Sequence, residues 1–211
     1  MENKWFVFLL GLVAQCLFSA RILVQWYKSE KSRKLESPLS YWILSLAGSM
    51  VFFVYGWFRD DFSILFGQFF TYAIYIWNIN AKGFWKRLPL VARLFIAVFP
   101  FLVLGTMLSD VPSFFRSFLQ NENIPVWLVL LGTVGQTIFT LRFVYQWAYS
   151  VRRNKSIMPV GFWLISLVGS GTIIVYALLR RDPVLILGHL FGVAAYSRNV
   201  VIGIRASRSR K

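Results

Sequence analysis

Seven stretches of mostly apolar residues, each roughly 18–24 residues long, follow one another along the sequence with little chain between them. Folded as helices, such stretches are long enough to cross the roughly 30 Å hydrocarbon core of a bilayer. They lie near residues 5–27, 41–58, 62–80, 88–108, 126–149, 160–179 and 183–204. The sequence therefore predicts an all-α integral membrane protein with seven transmembrane helices, and it leaves no room for a soluble catalytic domain.

The composition agrees with a polytopic membrane protein. Hydrophobic residues make up 57% of the 211 residues, charged residues only 15%, and the mean hydropathy is +0.60. The net charge of +15 is compatible with nucleic-acid binding, but on a membrane chain basic residues are first a signal of topology. We therefore predict the phospholipid bilayer as a partner and no nucleic acid.

The basic residues are distributed unevenly between alternate loops, and cytoplasmic loops are enriched in Lys and Arg. If the amino terminus is outside, the inner segments hold Lys28, Lys31, Arg33, Lys34, Lys82, Lys86, Arg87, Arg93, Arg152, Arg153, Lys155, Arg205, Arg208, Arg210 and Lys211. The outer segments then hold only Lys4, Arg59, Arg116, Arg180 and Arg181. This asymmetry predicts an external amino terminus and a cytoplasmic carboxyl terminus, whose basic tail contacts anionic headgroups.

The chain contains two copies of one unit. A displacement of 121 residues aligns residues 9–80 with 130–201 without a gap. Identical pairs include Gly11 and Gly132, Gln15 and Gln136, Phe18 and Phe139, Arg21 and Arg142, Gln25 and Gln146, Pro38 and Pro159, Trp42 and Trp163, Ser45 and Ser166, Gly48 and Gly169, Tyr75 and Tyr196, and Asn78 and Asn199. The sequence therefore predicts an internal duplication.

The number of spans sets the orientation of the two copies. Each copy holds three spans, and the apolar stretch near 88–108 adds one between them, so the copies would run parallel in a 3+1+3 arrangement. The predicted domains are a first three-helix repeat (1–82), a linking transmembrane helix with an outer loop (83–125), a second three-helix repeat (126–204) and a basic cytoplasmic tail (205–211).

Two corresponding stretches carry a family resemblance. RFVYQWAYSVRRNKSIMPVGFWLISLVGSG in the second copy and RILVQWYKSEKSRKLESPLSYWILSLAGSM in the first resemble the three-helix domain at the amino terminus of some bacterial lipid-A-disaccharide synthases. That domain is related to PQ-loop and SWEET transporters, so the resemblance implies a SWEET/PQ-loop-like bundle in the bacterial inner membrane. The PQ dipeptide is absent from both copies, and the glycosyltransferase portion of the synthases has no counterpart.

A polar stripe follows the first helix of each copy. On a helix, Gln15, Arg21 and Gln25 share one face in the first copy, and Gln136, Arg142 and Gln146 do so in the second. An arginine at the bilayer centre costs on the order of 3 kcal/mol or more, so it faces the bundle interior or a wet cavity. We predict that both stripes bind substrate; the alternative is that the arginines lie near the inner surface and anchor their helices.

A second polar stripe follows the third helix of each copy. It contains Gln68, Tyr75 and Asn78 in the first copy and His189, Tyr196 and Asn199 in the second. Trp42 and Trp163 add an aromatic face from the second helices. Aromatic rings with amide and hydroxyl neighbours suit sugar rings, and guanidinium groups suit phosphate. These residues are therefore also predicted to bind substrate.

Several of these residues have a second interpretation. Trp42 and Trp163 are also typical of membrane interfaces. Asp61 and Asp182, beside Arg59 and Arg180, either cap the start of a helix or form an outer gate. His189 is either a hydrogen-bonded helix contact or a site of proton coupling, and Arg198 is assigned to the inner surface.

The motifs indicate binding and transport. The sequence shows no nucleophile with a base at recognisable spacing, no metal cluster and no phosphate-cradling glycine loop, so we expect no enzyme activity, no cofactor and no metal. The leading hypothesis is a flippase-like transporter of a lipid-linked sugar or lipid A-type glycolipid precursor. The alternatives are a SWEET-like carrier of free sugar or small solute, and a non-transporting membrane partner of a glycosyltransferase.

Overall fold

In the computed structural model, residues 2–58, 62–107, 125–181 and 183–208 are described, and they form seven α-helices, one short 3-10 helix and no strand. The α-helices are α1 (Glu2–Ser32), α2 (Leu39–Phe58), α3 (Phe62–Ala81), α4 (Leu90–Met107), α5 (Val126–Val151), α6 (Val160–Leu179) and α7 (Pro183–Arg208), and the 3-10 helix is Trp85–Arg87. Each α-helix coincides with one apolar stretch. The all-α prediction is therefore confirmed for the described part of the chain.

Several of the described helices have the length and the surface of membrane helices. Within the described ranges, three are long and apolar enough to cross a membrane, namely Trp5–Ser32, Leu39–Phe58 and Val160–Leu179, and a shorter apolar helix covers Leu90–Gly105. Large apolar side chains lie on the outside; Trp5 is 74% and Val91 78% exposed. Apolar surface exposed on this scale suits lipid rather than water. The protein is therefore associated with a membrane.

The chain turns at corresponding residues after the first helix of each repeat. Arg33, which follows α1, has a φ of 54°, and Asn154, which follows α5, has a φ of 48°. Both values lie in the left-handed region, which asparagine tolerates better than arginine. Each turn leads to a proline, Pro38 or Pro159, directly before the next helix. The backbone thus repeats the duplication seen in the sequence.

The helices group into two compact units. The first contains Met1–Arg21 and Leu39–Asn121, and the second contains Ile22–Pro38 and Glu122–Lys211. The predicted domains follow sequence order, whereas the compact units do not, because the end of α1 and its following loop group with the second repeat. α1 therefore contributes to both units.

Each unit has its own helix contacts. In the first unit α2 packs on α3 and α4, and the Tyr72 hydroxyl of α3 donates a hydrogen bond to the Ile96 carbonyl of α4, at 2.8 Å. In the second unit α6 packs on both α5 and α7.

Glycines allow close approach of helices within each unit. A Cβ on Gly169 of α6 would lie 2.8 Å from both the Cα and the backbone nitrogen of Phe139 on α5. In the first unit, a Cβ on Gly48 of α2 would lie 2.8 Å from the Phe18 ring of α1. Small residues at such crossings let membrane helices pack closely.

Candidate functional site

The first repeat contains a buried arginine held by two hydroxyl groups. Arg21 is 6% exposed, and its Nη1 donates hydrogen bonds to Ser45 Oγ at 3.0 Å and to Tyr75 Oη at 3.1 Å. Ser45 Oγ donates its own proton to the Tyr41 carbonyl at 2.6 Å, so its lone pairs can face the guanidinium. Hydroxyl groups stabilise this cation without neutralising it. We call Arg21, Ser45, Tyr41, Tyr75 and the Phe18 ring the first arginine cluster.

Aromatic rings complete the first arginine cluster. The Arg21 Cζ lies 4.6 Å from the Phe18 ring centroid and 5.3 Å from that of Tyr41, distances at which a cation is attracted to a ring face. Trp42 is fully buried, and its ring centroid lies 6.2 Å from that of Tyr75. The predicted residues Arg21, Trp42 and Tyr75 are therefore brought together within the first unit.

The second repeat places a buried arginine in a more aromatic surrounding. Arg142 is 3% exposed, and its Cζ lies 3.3 Å from the Phe139 ring centroid. The ring centroids of Phe143, Phe162 and Tyr196 lie 4.8, 5.7 and 5.8 Å away. We call these five residues the second arginine cluster. Neither Arg21 nor Arg142 extends to the protein surface.

Trp163 lies beside the second arginine cluster. It is 1% exposed, and its ring centroid is 5.9 Å from that of Tyr196. Among the residues that the structure describes, none accepts a hydrogen bond from its Nε1. A buried donor without an acceptor costs about 1–3 kcal/mol, so this indole group is suited to an acceptor on a ligand.

His189 and Gln68 have the same partner in their respective repeats. Ser49 Oγ donates to Gln68 Oε1 at 2.8 Å, and His189 Nδ1 lies 3.2 Å from Ser170 Oγ. The His189 ring also packs edge-on against Phe139, with centroids 5.1 Å apart. These contacts agree with the interpretation of His189 as a hydrogen-bonded helix contact.

Gln146 holds the loop after its own helix. Its Nε2 donates to Ser150 Oγ and to the Ile157 carbonyl, both at 2.9 Å, and Ser150 Oγ accepts the Ile157 amide at 3.0 Å. These bonds stabilise the turn between α5 and α6.

Gln25 makes the equivalent contacts after α1. Its Nε2 donates to Ser29 Oγ at 2.8 Å and to the Glu36 carbonyl at 3.3 Å, and in addition to Asn199 Oδ1 at 2.9 Å. Ser29 and its counterpart Ser150 were not predicted as contacts of the glutamines. Their positions indicate such a contact, because in both copies a serine follows the glutamine by four residues, about one helical turn.

Four other predicted residues have side-chain amides that differ in burial. Gln15 and Gln136 are exposed on α1 and α5. Asn78 and Asn199 are fully buried, and the amide of each donates to the backbone carbonyl four residues earlier, at 2.9 and 2.8 Å. Each amide group is thus bonded within its own helix, and Asn199 Oδ1 also accepts the bond from Gln25.

The predicted capping or gating residues fall mostly outside the described ranges. Asp61, Asp182 and Arg59 are not among the described residues, so their role stays a prediction. Arg180 is exposed, and its Nη1 lies 3.5 Å from the hydroxyl of Tyr176 on the same helix.

A family model matches both copies. The model described as Lipid A Biosynthesis N-terminal domain matches residues 10–80 and again residues 131–201. These matches confirm the duplication and the family resemblance. No solved structure gives a significant match to the chain, and the relation to PQ-loop and SWEET transporters stays a prediction.

The curated relatives are enzymes from Chlamydia. The lipid-A-disaccharide synthase of Chlamydia felis is 32% identical over 213 residues, covering 94% of this chain and 33% of the synthase. The synthase of Chlamydia pneumoniae is 30% identical over 206 residues, covering 95% and 34%, and that of Chlamydia caviae is 28% identical over 213 residues, covering 96% and 34%. The chain thus spans about a third of the length of these relatives.

This similarity corrects the prediction that the chain has no enzyme activity. That prediction is wrong, because the relatives carry the name of an enzyme, lipid-A-disaccharide synthase. The 211 residues contain no nucleophile with a base at recognisable spacing, whereas the enzyme name belongs to proteins of which the chain matches about a third. Since the family model covers most of the chain in two matches, the protein belongs to the Lipid A Biosynthesis N-terminal domain family.

Proposed function

We propose that the protein acts in lipid A biosynthesis as a membrane carrier, which binds a phosphorylated glycolipid precursor and moves it between the leaflets of the bacterial inner membrane. The observation that carries the proposal is the occurrence, in both repeats, of a buried guanidinium among aromatic rings, with Arg21 and Arg142 at equivalent positions. The family description and the name of the relatives supply the substrate class.

The arginines would hold the phosphate. A guanidinium binds phosphate through charge-assisted hydrogen bonds, about twice as strong as bonds between neutral groups. The bonds from Arg21 to Ser45 and Tyr75 are made to neutral oxygens. A phosphate oxygen would therefore compete well for the same donors, and burial in a low-dielectric site would strengthen that bond further.

Neighbouring side chains would hold the sugar. Trp42 and Trp163 present buried aromatic surfaces beside the two arginine clusters, and Trp163 adds an indole donor. The serine-bound Gln68 and His189 lie on the same third helices as Tyr75 and Tyr196. Apolar walls with a few placed polar groups are typical of small-molecule sites.

The proposed mechanism uses the duplication. Seven spans in a 3+1+3 plan, with the amino terminus outside and the carboxyl terminus in the cytoplasm, would make the repeats parallel, as in transporters that move one repeat against the other. The lipid chains would stay in the bilayer while the head group passes the buried polar residues.

Reconstituted protein is expected to move a phosphorylated glycolipid across vesicle membranes, because the buried guanidinium groups favour its phosphate. A fluorescent monophosphoryl disaccharide lipid, its dephosphorylated form and a free disaccharide are compared. Movement of each lipid is measured as the fraction that an impermeant reductant can reach over time. Movement of the free disaccharide is measured as its efflux from the vesicles. Protein-free vesicles give the background rate.

Each alternative predicts another pattern in the same vesicles. Efflux of the free disaccharide without movement of either lipid would overturn the proposal in favour of a SWEET-like carrier. Movement of both lipids at equal rates would exclude phosphate recognition by Arg21 and Arg142.

A second candidate is a non-transporting partner that binds the lipid for a glycosyltransferase. The observation in its favour is that the relatives contain the matching region as about a third of a lipid-A-disaccharide synthase. Binding of the phosphorylated lipid without movement between leaflets would support this candidate over the carrier.

A further inference from the structure

Polar contacts tie the end of α1 to α7. Gln25 Nε2 donates to Asn199 Oδ1 at 2.9 Å, and both side chains are fully buried. Beyond them, Arg198 Nε lies 3.1 and 3.0 Å from the two carboxylate oxygens of Glu30, and Arg198 Nη2 also donates to this carboxylate. We call Gln25, Glu30, Arg198 and Asn199 the α1–α7 latch; all four lie within the second compact unit.

The latch is linked to one backbone amide. Gln25 Nε2 also donates to Ser29 Oγ at 2.8 Å, and the same oxygen accepts the amide of Glu36 at 3.0 Å. Displacement of Gln25 would release Ser29 from one of these bonds. The protection of the Glu36 amide against hydrogen exchange therefore reports on the latch.

The ion pair of the latch occurs in one copy only. The residues that correspond to Glu30 and Arg198 at a displacement of 121 are Val151 and Trp77, which cannot form an ion pair. The amide of Ile157 is nevertheless bonded to Ser150 Oγ at 3.0 Å, as Glu36 is to Ser29. Ile157 is therefore an internal reference for a turn without the ion pair.

One continuous helix, α1, contributes Arg21 to the first arginine cluster and Gln25 and Glu30 to the latch. Arg21 precedes Gln25 by four residues, about one turn of α1. A phosphate that draws the Arg21 guanidinium away from Ser45 and Tyr75 would remove two contacts that fix this part of α1. Packed helices change state by shifts of about 1–2 Å. A shift of that size would lengthen the 2.9 Å bond between Gln25 and Asn199 beyond hydrogen-bonding range.

We propose that α1 couples the first arginine cluster to the α1–α7 latch, so that binding of a phosphate group at Arg21 releases Gln25 from Asn199 and Glu30 from Arg198. The inference rests on the proposed function for its ligand, a phosphorylated glycolipid. An exposed ion pair alone contributes little to stability. In the latch, the pair between Glu30 and Arg198 lies beside the buried bond between Gln25 and Asn199, so its loss would make separation of α1 from α7 easier.

The test is hydrogen exchange of the 211-residue chain in nanodiscs, with monophosphoryl lipid A and its dephosphorylated form as probes. Binding of each probe is measured separately by native mass spectrometry. The phosphorylated probe is expected to speed exchange at Glu36 about tenfold and to leave Ile157 unchanged. The dephosphorylated form is expected to leave both amides unchanged.

Substitutions separate the latch from ligand binding. Glu30→Gln and Arg198→Gln, both at exposed positions, are expected to speed exchange at Glu36 without ligand. The exchanged pair Glu30→Arg with Arg198→Glu is expected to restore protection. Arg21→Gln is expected to weaken probe binding. At a probe concentration that saturates binding through Arg142, which native mass spectrometry verifies, the probe should no longer change exchange at Glu36.

The outcomes distinguish the coupling from the proposed function. If the phosphorylated probe binds and exchange at Glu36 stays constant, the coupling is wrong and the proposed function stands. If exchange at Glu36 in Glu30→Gln equals that of the unsubstituted protein, the ion pair does not hold the latch, and the inference fails. If the phosphorylated probe does not bind, both the proposed function and the coupling are overturned.

Discussion

Substitution of Arg142 by glutamine is expected to weaken binding of a phosphorylated glycolipid about 10–100-fold, because a hydrogen bond to a charged group contributes about 1.5–3 kcal/mol. The dephosphorylated glycolipid should bind almost equally to both proteins, since it makes no bond that requires the positive charge. Binding to purified protein in nanodiscs, measured with both lipids, gives the two ratios directly. The same substitution at Arg21 is expected to act in the same direction.

The matched control is another arginine stacked on an aromatic ring. The Arg153 Cζ lies 4.3 Å from the Tyr149 ring centroid, but this arginine is exposed and lies in the turn that follows α5. Arg153→Gln should therefore leave the affinity of both lipids within about twofold, because water screens its charge. Equal losses in Arg142→Gln and Arg153→Gln would mean that net charge, and not a buried site, attracts the phosphate.

Substitution of Gly169 by alanine is expected to destabilise the protein by about 1–3 kcal/mol, the usual cost of an overpacked contact. The new Cβ would lie 2.8 Å from backbone atoms of Phe139, so α5 and α6 would have to separate. Because Arg142 stands one turn after Phe139, the second arginine cluster should also loosen. The measurement is denaturant-induced unfolding in detergent micelles, followed by circular dichroism.

Two other glycines give a graded comparison. A Cβ on Gly171, on the same helix, meets no atom within 4 Å, so Gly171→Ala should be neutral or stabilise by up to about 1 kcal/mol. Gly48→Ala should cost less than Gly169→Ala, because the obstacle is the Phe18 side chain, which can move, and not the backbone. Equal unfolding midpoints for the three variants would contradict the packing argument.

The helices and the buried arginines were predictable because the bilayer imposes simple constraints. A hydrocarbon core requires long apolar helices, so the seven apolar stretches located the seven described helices closely. An arginine within such a stretch is costly in lipid, which placed Arg21 and Arg142 in the interior. The repetition of each arginine in the second copy strengthened that inference.

The burial of single residues and the contacts between distant residues could not be predicted from helical periodicity. Helical periodicity put Gln15 on the same broad stripe as Arg21, but the buried sector is narrower and leaves Gln15 exposed. The bond between Gln25 and Asn199 and the ion pair between Glu30 and Arg198 join residues distant in sequence. Periodicity within single helices carries no information about such pairs.

The division of α1 between two compact units bears on how the two copies depend on each other. The second unit is completed by Ile22–Pro38, a segment that the chain provides before its first repeat has ended. A fragment that contains only the second copy would lack Ile22–Pro38. A single-copy protein would have to obtain the equivalent arm from another molecule, as segment-exchanged dimers do. In a polypeptide that contains both copies, the segment that completes the second unit is part of the same chain, so no second molecule has to provide it.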